Sequence, residues 1–172
     1  MKFKPFVLAA LLAVGGSAAY ADDFVTVVPL VPVAGAPGDY SAGFSITHVE
    51  TGSFTDTFTF TPNVGGRVSG SLVTVASDAS SNIDFTTATL NGQSFSSFPN
   101  GDFEVRYFAP TTFAGNLTLI VTGIAANGLP MDANVAASYA ATINVTAVPE
   151  PASLALLAAG LAVVGFVVRR KG

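Results

Sequence analysis

Between residues 22 and 147, apolar side chains recur at every second position in short runs, and Gly, Asn and Pro divide one run from the next. A two-residue period sends alternate side chains to opposite faces of a strand. No stretch here holds the 3.6-residue period of an amphipathic helix. The pattern predicts strands over 44–49, 54–61, 67–76, 83–90, 93–98, 103–108, 117–123 and 136–146. Residues 24–28 add an edge strand, because the nearby Pro29 and Pro32 lack the N–H that a central strand needs. Asn91-Gly92 is the preferred two-residue type I′ hairpin turn, and Pro99-Asn100-Gly101-Asp102 and Ala126-Asn127-Gly128-Leu129-Pro130 mark two more turns. The second half therefore reads as an antiparallel meander. The stretch as a whole reads as an all-β, antiparallel β-sandwich or jelly-roll-like domain, long enough for one core.

The most regular strand is Phe54-Thr55-Asp56-Thr57-Phe58-Thr59-Phe60-Thr61. Phe54, Asp56, Phe58 and Phe60 share one face, and the four threonines share the other. Asp56 breaks the apolar face. A buried carboxylate without partners is costly, so Asp56 is expected to accept from backbone N–H groups, to meet Arg67 or Arg106, or to lie near the sheet rim.

Both ends depart from the two-residue period. Lys2 and Lys4 precede an apolar run over 6–14, then come Gly15, Gly16 and Ser17, and Ala19 and Ala21 are the small residues at −3 and −1. This is the three-part secretory signal, so residues 1–21 are expected to be removed by signal peptidase. The second apolar run, 152–168, carries no charge and would span about 26 Å as a helix. Arg169, Arg170 and Lys171 follow at once. The run is expected to be a transmembrane helix whose basic end stays in the cytoplasm while the body lies outside. Before it stands Val148-Pro149-Glu150-Pro151, where two prolines keep the chain extended and open to an enzyme. The chain thus divides into residues 1–21, 22–147 and 148–172.

Charge narrows the function. The body from Asp22 to Pro149 holds ten acidic residues against two basic ones, Arg67 and Arg106. Such a surface cannot neutralise phosphates, so nucleic acid is not an expected partner. The absence of cysteine removes disulfides, zinc–thiolate sites and a cysteine nucleophile. His48 is the only histidine, and no Gly-x-Ser-x-Gly elbow occurs, so no catalytic residue is assigned and the chain is expected not to be an enzyme. Asp102 and Glu104, beside Asn100, form a weak carboxylate pair, and Asp78 and Asp84 bracket a Ser-rich loop. Calcium is the cation that such oxygens would take, but the Asp-x-Asp-x-Asp-Gly loop is missing, so no cofactor is assigned. Without tryptophan, the chain has little of the aromatic platform that sugar-binding modules use.

Val148-Pro149-Glu150-Pro151, the small-residue and leucine-rich run, and Arg169-Arg170-Lys171 together resemble the PEP-CTERM sorting signal of Gram-negative bacteria. The resemblance implies recognition by an exosortase, removal of the helix, and delivery to the cell surface or an exopolysaccharide matrix. Phe54-x-Asp56-x-Phe58 also resembles the signature of the FxDxF family of PEP-CTERM proteins. The expectation is an exported, non-enzymatic surface protein associated with exopolysaccharide or biofilm. A carbohydrate- or calcium-binding module is the alternative, and an exported hydrolase the third reading. The first expectation is directly measurable: N-terminal sequencing of the exported protein should begin at Asp22, and a chain still beginning at Met1 contradicts the signal reading.

Overall fold

The computed structural model describes residues 21–96, 99–131, 133–148 and 151–171. The signal-peptide expectation, with Ala19, lies outside the described residues.

Among the described residues, ten strands form two five-stranded sheets. The first runs in the order β1 (Val25–Pro29), β4 (Gly52–Thr61), β9 (Thr118–Ala125), β6 (Ile83–Leu90) and β7 (Gln93–Ser94). The second runs β2 (Val31–Pro32), β3 (Tyr40–His48), β10 (Ala137–Thr146), β5 (Gly66–Val75) and β8 (Phe103–Phe113). The inward residues of the two sheets meet in one core. Phe58 of β4 lies 4.4 Å from Phe44 of β3, and Phe85 of β6 lies 5.5 Å from Tyr139 of β10, measured between ring centroids. The result is a sandwich-like β fold, as the alternation predicted. Burying each aliphatic or Phe side chain contributes roughly 1.5–3 kcal/mol against leaving it in water.

Three features depart from the sequence expectation. The pairing is not wholly antiparallel, because β1 lies parallel to β4 with Val25 beside Thr57 and Val28 beside Phe60. The second half is not a meander. Only β6 and β7 form a hairpin, turning at Asn91 and Gly92 with φ of 47° and 78°, the left-handed values that a type I′ turn requires. After it the chain changes sheet at each step, to β8, back to β9 and across to β10. Turn residues identify a reversal but do not say whether the next strand stays in the same sheet. The third departure is α1 (Pro151–Lys171), a 21-residue helix. Among the described residues no helix is long and apolar enough to cross a membrane. The transmembrane helix expected over 152–168 is thus not met as a span.

The N-terminal segment zips onto β4 before β1 begins. Ala21 donates its N–H to the Ser53 carbonyl at 3.0 Å, and Asp23 Oδ1 accepts from the Thr55 N–H at 2.6 Å. Glycine matters most at Gly123 on β9, which pairs with Phe54 on one side and Phe85 on the other. A Cβ there would come within 2.6 Å of the Phe54 ring and 2.8 Å of the Asp84 carbonyl. The missing side chain lets the Phe54 ring lie over the strand. Gly123→Ala is expected to destabilise the domain by about 1–3 kcal/mol through overpacking, read as a lower urea midpoint. An unchanged midpoint would show that the ring has room to move.

Candidate functional site

The residues that the sequence singles out converge at the centre of the sandwich. Alternation along β4 turns Phe54, Asp56 and Phe58 inward, and β3 ends by bringing His48 to the same level. Asp56 is completely buried and fully engaged. Its Oδ1 accepts from the Phe24 N–H at 2.9 Å, and its Oδ2 accepts from Tyr139 Oη at 2.5 Å and lies 3.1 Å from His48 Nε2. Since a carboxylate only accepts, Nε2 carries the shared hydrogen. Of the partners foreseen for Asp56, the backbone N–H is found. Its other partners are His48 and Tyr139, and no bond to Arg67 or Arg106 is seen among the described residues.

Aromatic rings enclose this network. The Phe54 ring stacks on His48 at 4.1 Å, and Phe24 meets the imidazole edge-on at 5.3 Å. Tyr139 lies parallel to Phe54. Burial, followed by the bond to the Asp56 carboxylate and that group's charge, pushes the Tyr139 hydroxyl far above the usual phenol range. The hydroxyl therefore keeps its proton and donates it to Asp56.

A second buried polar cluster lies in the same core. β8 turns Glu104 and Arg106 inward, both nearly inaccessible. Glu104 Oε2 pairs with Arg106 Nη2 at 3.2 Å and accepts from the Phe85 N–H at 3.2 Å, while Oε1 accepts from the Gly101 N–H at 3.3 Å. Arg106 Nη2 donates to the Phe85 carbonyl at 2.6 Å and to Asn100 Oδ1 at 3.1 Å. Side chains of one sheet thus hold both backbone groups of Phe85 in the other. A β-bulge beside Phe85, where Thr86 is the extra residue, accounts for these groups turning away from β9. Burial raises the Glu104 carboxyl above the usual range, and the bonds from Phe85 and Gly101 and the Arg106 charge oppose that shift.

This geometry bears on each candidate. The pairing of His48 Nε2 with Asp56 Oδ2 resembles half of a nucleophilic triad only in its His–Asp contact: His48 is fully buried, and its Nδ1 has no hydrogen-bond partner among the described residues. Asp102 and Glu104 do not form a shared carboxylate face. Asp102 is exposed in the turn before β8, whereas Glu104 is buried against Arg106. Among the described residues no group of three potential metal ligands occurs. Asp78 caps a single 3-10 turn, and hydrogen bonds from Ser80 and Ser81 hold its carboxyl below the usual range. Asp84 bonds Asn82 and Asn127. Sequence reasoning missed Tyr139, which lies 83 residues from Asp56, and the Glu104–Arg106 pair, whose bonds reach Phe85 19 and 21 residues away, because no local pattern records such bonds.

The sorting segment begins where the sandwich is tied off. Asp39 Oδ1 accepts from the Ala147 N–H at 2.8 Å, and Val148 is half exposed just beyond. Pro149 and Glu150 lie outside the described residues, Pro151 opens α1, and Arg169 and Arg170 are exposed near its end. Of the described side chains of α1, all are exposed. Residues 147–171 match the family of the PEP-CTERM protein-sorting motif. No curated protein and no solved structure matches the chain.

The Asp56 network yields a quantitative expectation. Asp56→Ala leaves the Phe24 N–H and the Tyr139 hydroxyl without an acceptor and should destabilise the domain by about 1–3 kcal/mol in urea. Asp56→Asn keeps an acceptor oxygen and should cost less. Equal midpoints for all three forms would mean that the carboxylate is solvated and available to a ligand.

Proposed function

We propose that this chain is a non-enzymatic structural protein of the bacterial surface or extracellular matrix, delivered there by exosortase processing. The PEP-CTERM motif at 147–171 indicates an exported protein handled by an exosortase, and this is the observation that carries the reading. Its position supports the proposal: the motif starts at the last backbone bond that ties the sandwich, so cleavage beside Pro149 and Pro151 would release the body without opening its core. In this reading the tail anchors the chain transiently at the membrane, with Arg169, Arg170 and Lys171 on the cytoplasmic side, until the exosortase removes it.

The body supports a structural role. Its histidine and its inward carboxylates are consumed in holding the two sheets together, which leaves little for acid–base or nucleophilic work. The resemblance of Phe54-x-Asp56-x-Phe58 to the FxDxF signature fits the same account, with the motif acting as the core strand of the sandwich. Association with exopolysaccharide or biofilm belongs to this proposal. A carbohydrate-binding role on the same scaffold is the second reading, because one outer face carries exposed aromatic rings.

Intact-mass analysis of the surface form tests the proposal. In a host with an exosortase, the mass should correspond to a chain lacking 152–172. Changing Pro149 and Pro151 to Ala should block that loss while leaving the urea midpoint of the body unaltered. Retention of the full helix in the surface form would reduce the segment to a plain single-pass anchor and overturn the sorting proposal.

A further inference from the structure

The first five residues of β8 are inside out, ahead of Phe108, which is buried. A strand on one sheet of a sandwich turns its apolar residues inward and its charged residues to solvent. In Phe103-Glu104-Val105-Arg106-Tyr107 the reverse holds. Glu104 and Arg106 are buried, while Phe103 is 62% exposed and Tyr107 46% exposed on the outer face. A slip of one residue would bury Phe103 and Tyr107 and expose the charges, and it would also turn Phe108 outward. The bonds from Glu104 and Arg106 to both backbone groups of Phe85 hold the strand in the inverted register. The arrangement gives the outer face two aromatic rings that the core would otherwise have taken.

The ground beside those rings is shallow and hydroxylated. Phe103 pairs with Val75 and Tyr107 with Ser71 on β5, and Ser71 in turn pairs with Thr142 on β10 and Thr142 with Gly43 on β3. The Ser71 and Thr142 hydroxyls lie 2.8 Å apart, forming a short polar row that leads away from Tyr107. Four residues of strand separate the rings by about 13 Å, a span fitted to a short stretch of glycan. At Tyr107 the edge is already occupied, because Ser96 takes both backbone groups: its N–H donates to the Tyr107 carbonyl at 2.8 Å and its Oγ accepts from the Tyr107 N–H at 3.2 Å. The side chains remain exposed while the edge is occupied at Tyr107.

We propose that the outer face of the second sheet, along Phe103 and Tyr107 and the Ser71–Thr142 row, is a platform for a neutral polysaccharide chain. Aromatic faces stack on the C–H faces of sugar rings, and neighbouring hydroxyls meet the sugar hydroxyls. Charge selects the class. The ten acidic residues of the body repel uronates and sulfated sugars, and Arg67 lies at the far end of the face, paired with Thr146 and Thr112. The inference rests on the matrix reading above and names the ligand class of that same surface protein.

Affinity electrophoresis of the full chain, purified in mild detergent, tests it with three probes cast in the gel: hydroxyethylcellulose, dextran and polygalacturonate. Retardation is expected with at least one neutral polymer and not with polygalacturonate. The double change Phe103→Ala with Tyr107→Ala should weaken retention roughly tenfold or more, and Tyr107→Phe, which keeps the ring, should retain it. The urea midpoint checks that these exposed changes leave the fold intact. Three results overturn the proposal: no retardation with either neutral polymer, retardation indifferent to the double change, or preference for polygalacturonate. Self-association that the double change abolishes, without glycan retention, would instead make this face an interface between copies. Each of those failures leaves the mass of the processed surface form unchanged, so the sorting reading stands or falls separately.

Discussion

A carboxylate at the centre of a β-sandwich must be satisfied from every side or it opens the fold. Asp56 meets that constraint with three donors from three parts of the chain: Phe24 ahead of β1, His48 at the end of β3 and Tyr139 on β10. β4 itself belongs to the first sheet, whereas β3 and β10 belong to the second. One side chain therefore ties the sheets together and fixes the N-terminal edge strand in its parallel position. The flanking residues of the same motif complete the site, Phe54 by stacking on the imidazole and Phe58 by packing against Phe44. Gly123 gives the Phe54 ring the space to do so.

The second polar cluster repeats the same solution. Glu104 and Arg106 reach across from β8 and hold the backbone of Phe85, whose ring touches Tyr139 edge-on while the Arg106 guanidinium lies 5.9 Å from its centroid. The two networks are thus joined through one aromatic residue. Buried polar networks of this kind add less to stability than to uniqueness of register, since each partner is satisfied in only one arrangement. In β8 that uniqueness has an outward effect, because the register that buries Glu104 and Arg106 also presents Phe103 and Tyr107 to solvent.

Much of this was legible in the sequence, and for definable reasons. Strand β6 was predicted with the bounds it has, because its alternation stops at a type I′ turn on one side and at the Ser-rich loop on the other. Asp56 stood out as a charge on an apolar face, and its need for a backbone donor followed from the cost of leaving it unpaired. Alternation alone, however, does not say which face of a strand points inward. At the start of β8 the ordinary choice would bury Phe103 and Tyr107, and the long-range bonds to Phe85, with Phe108 buried on the same face, hold the reverse. The parallel placement of β1 and the change of sheet after β7 escaped for a related reason: turn chemistry is local, while sheet membership depends on partners far along the chain. The sorting tail was the most legible element of all, since it is a linear signal read without a fold.

The body and the tail answer to different constraints, and the body's depends on Asp56 acting together with its donors. A double-mutant cycle between Asp56→Ala and Tyr139→Phe, followed by urea unfolding, addresses that cooperation most directly. If the carboxylate and the phenol are one buried unit, the double variant should be destabilised by less than the sum of the single changes, with a coupling on the order of 0.5–3 kcal/mol. Additive losses would show that the two groups are held independently and would contradict the account of Asp56 as the tie between the sheets.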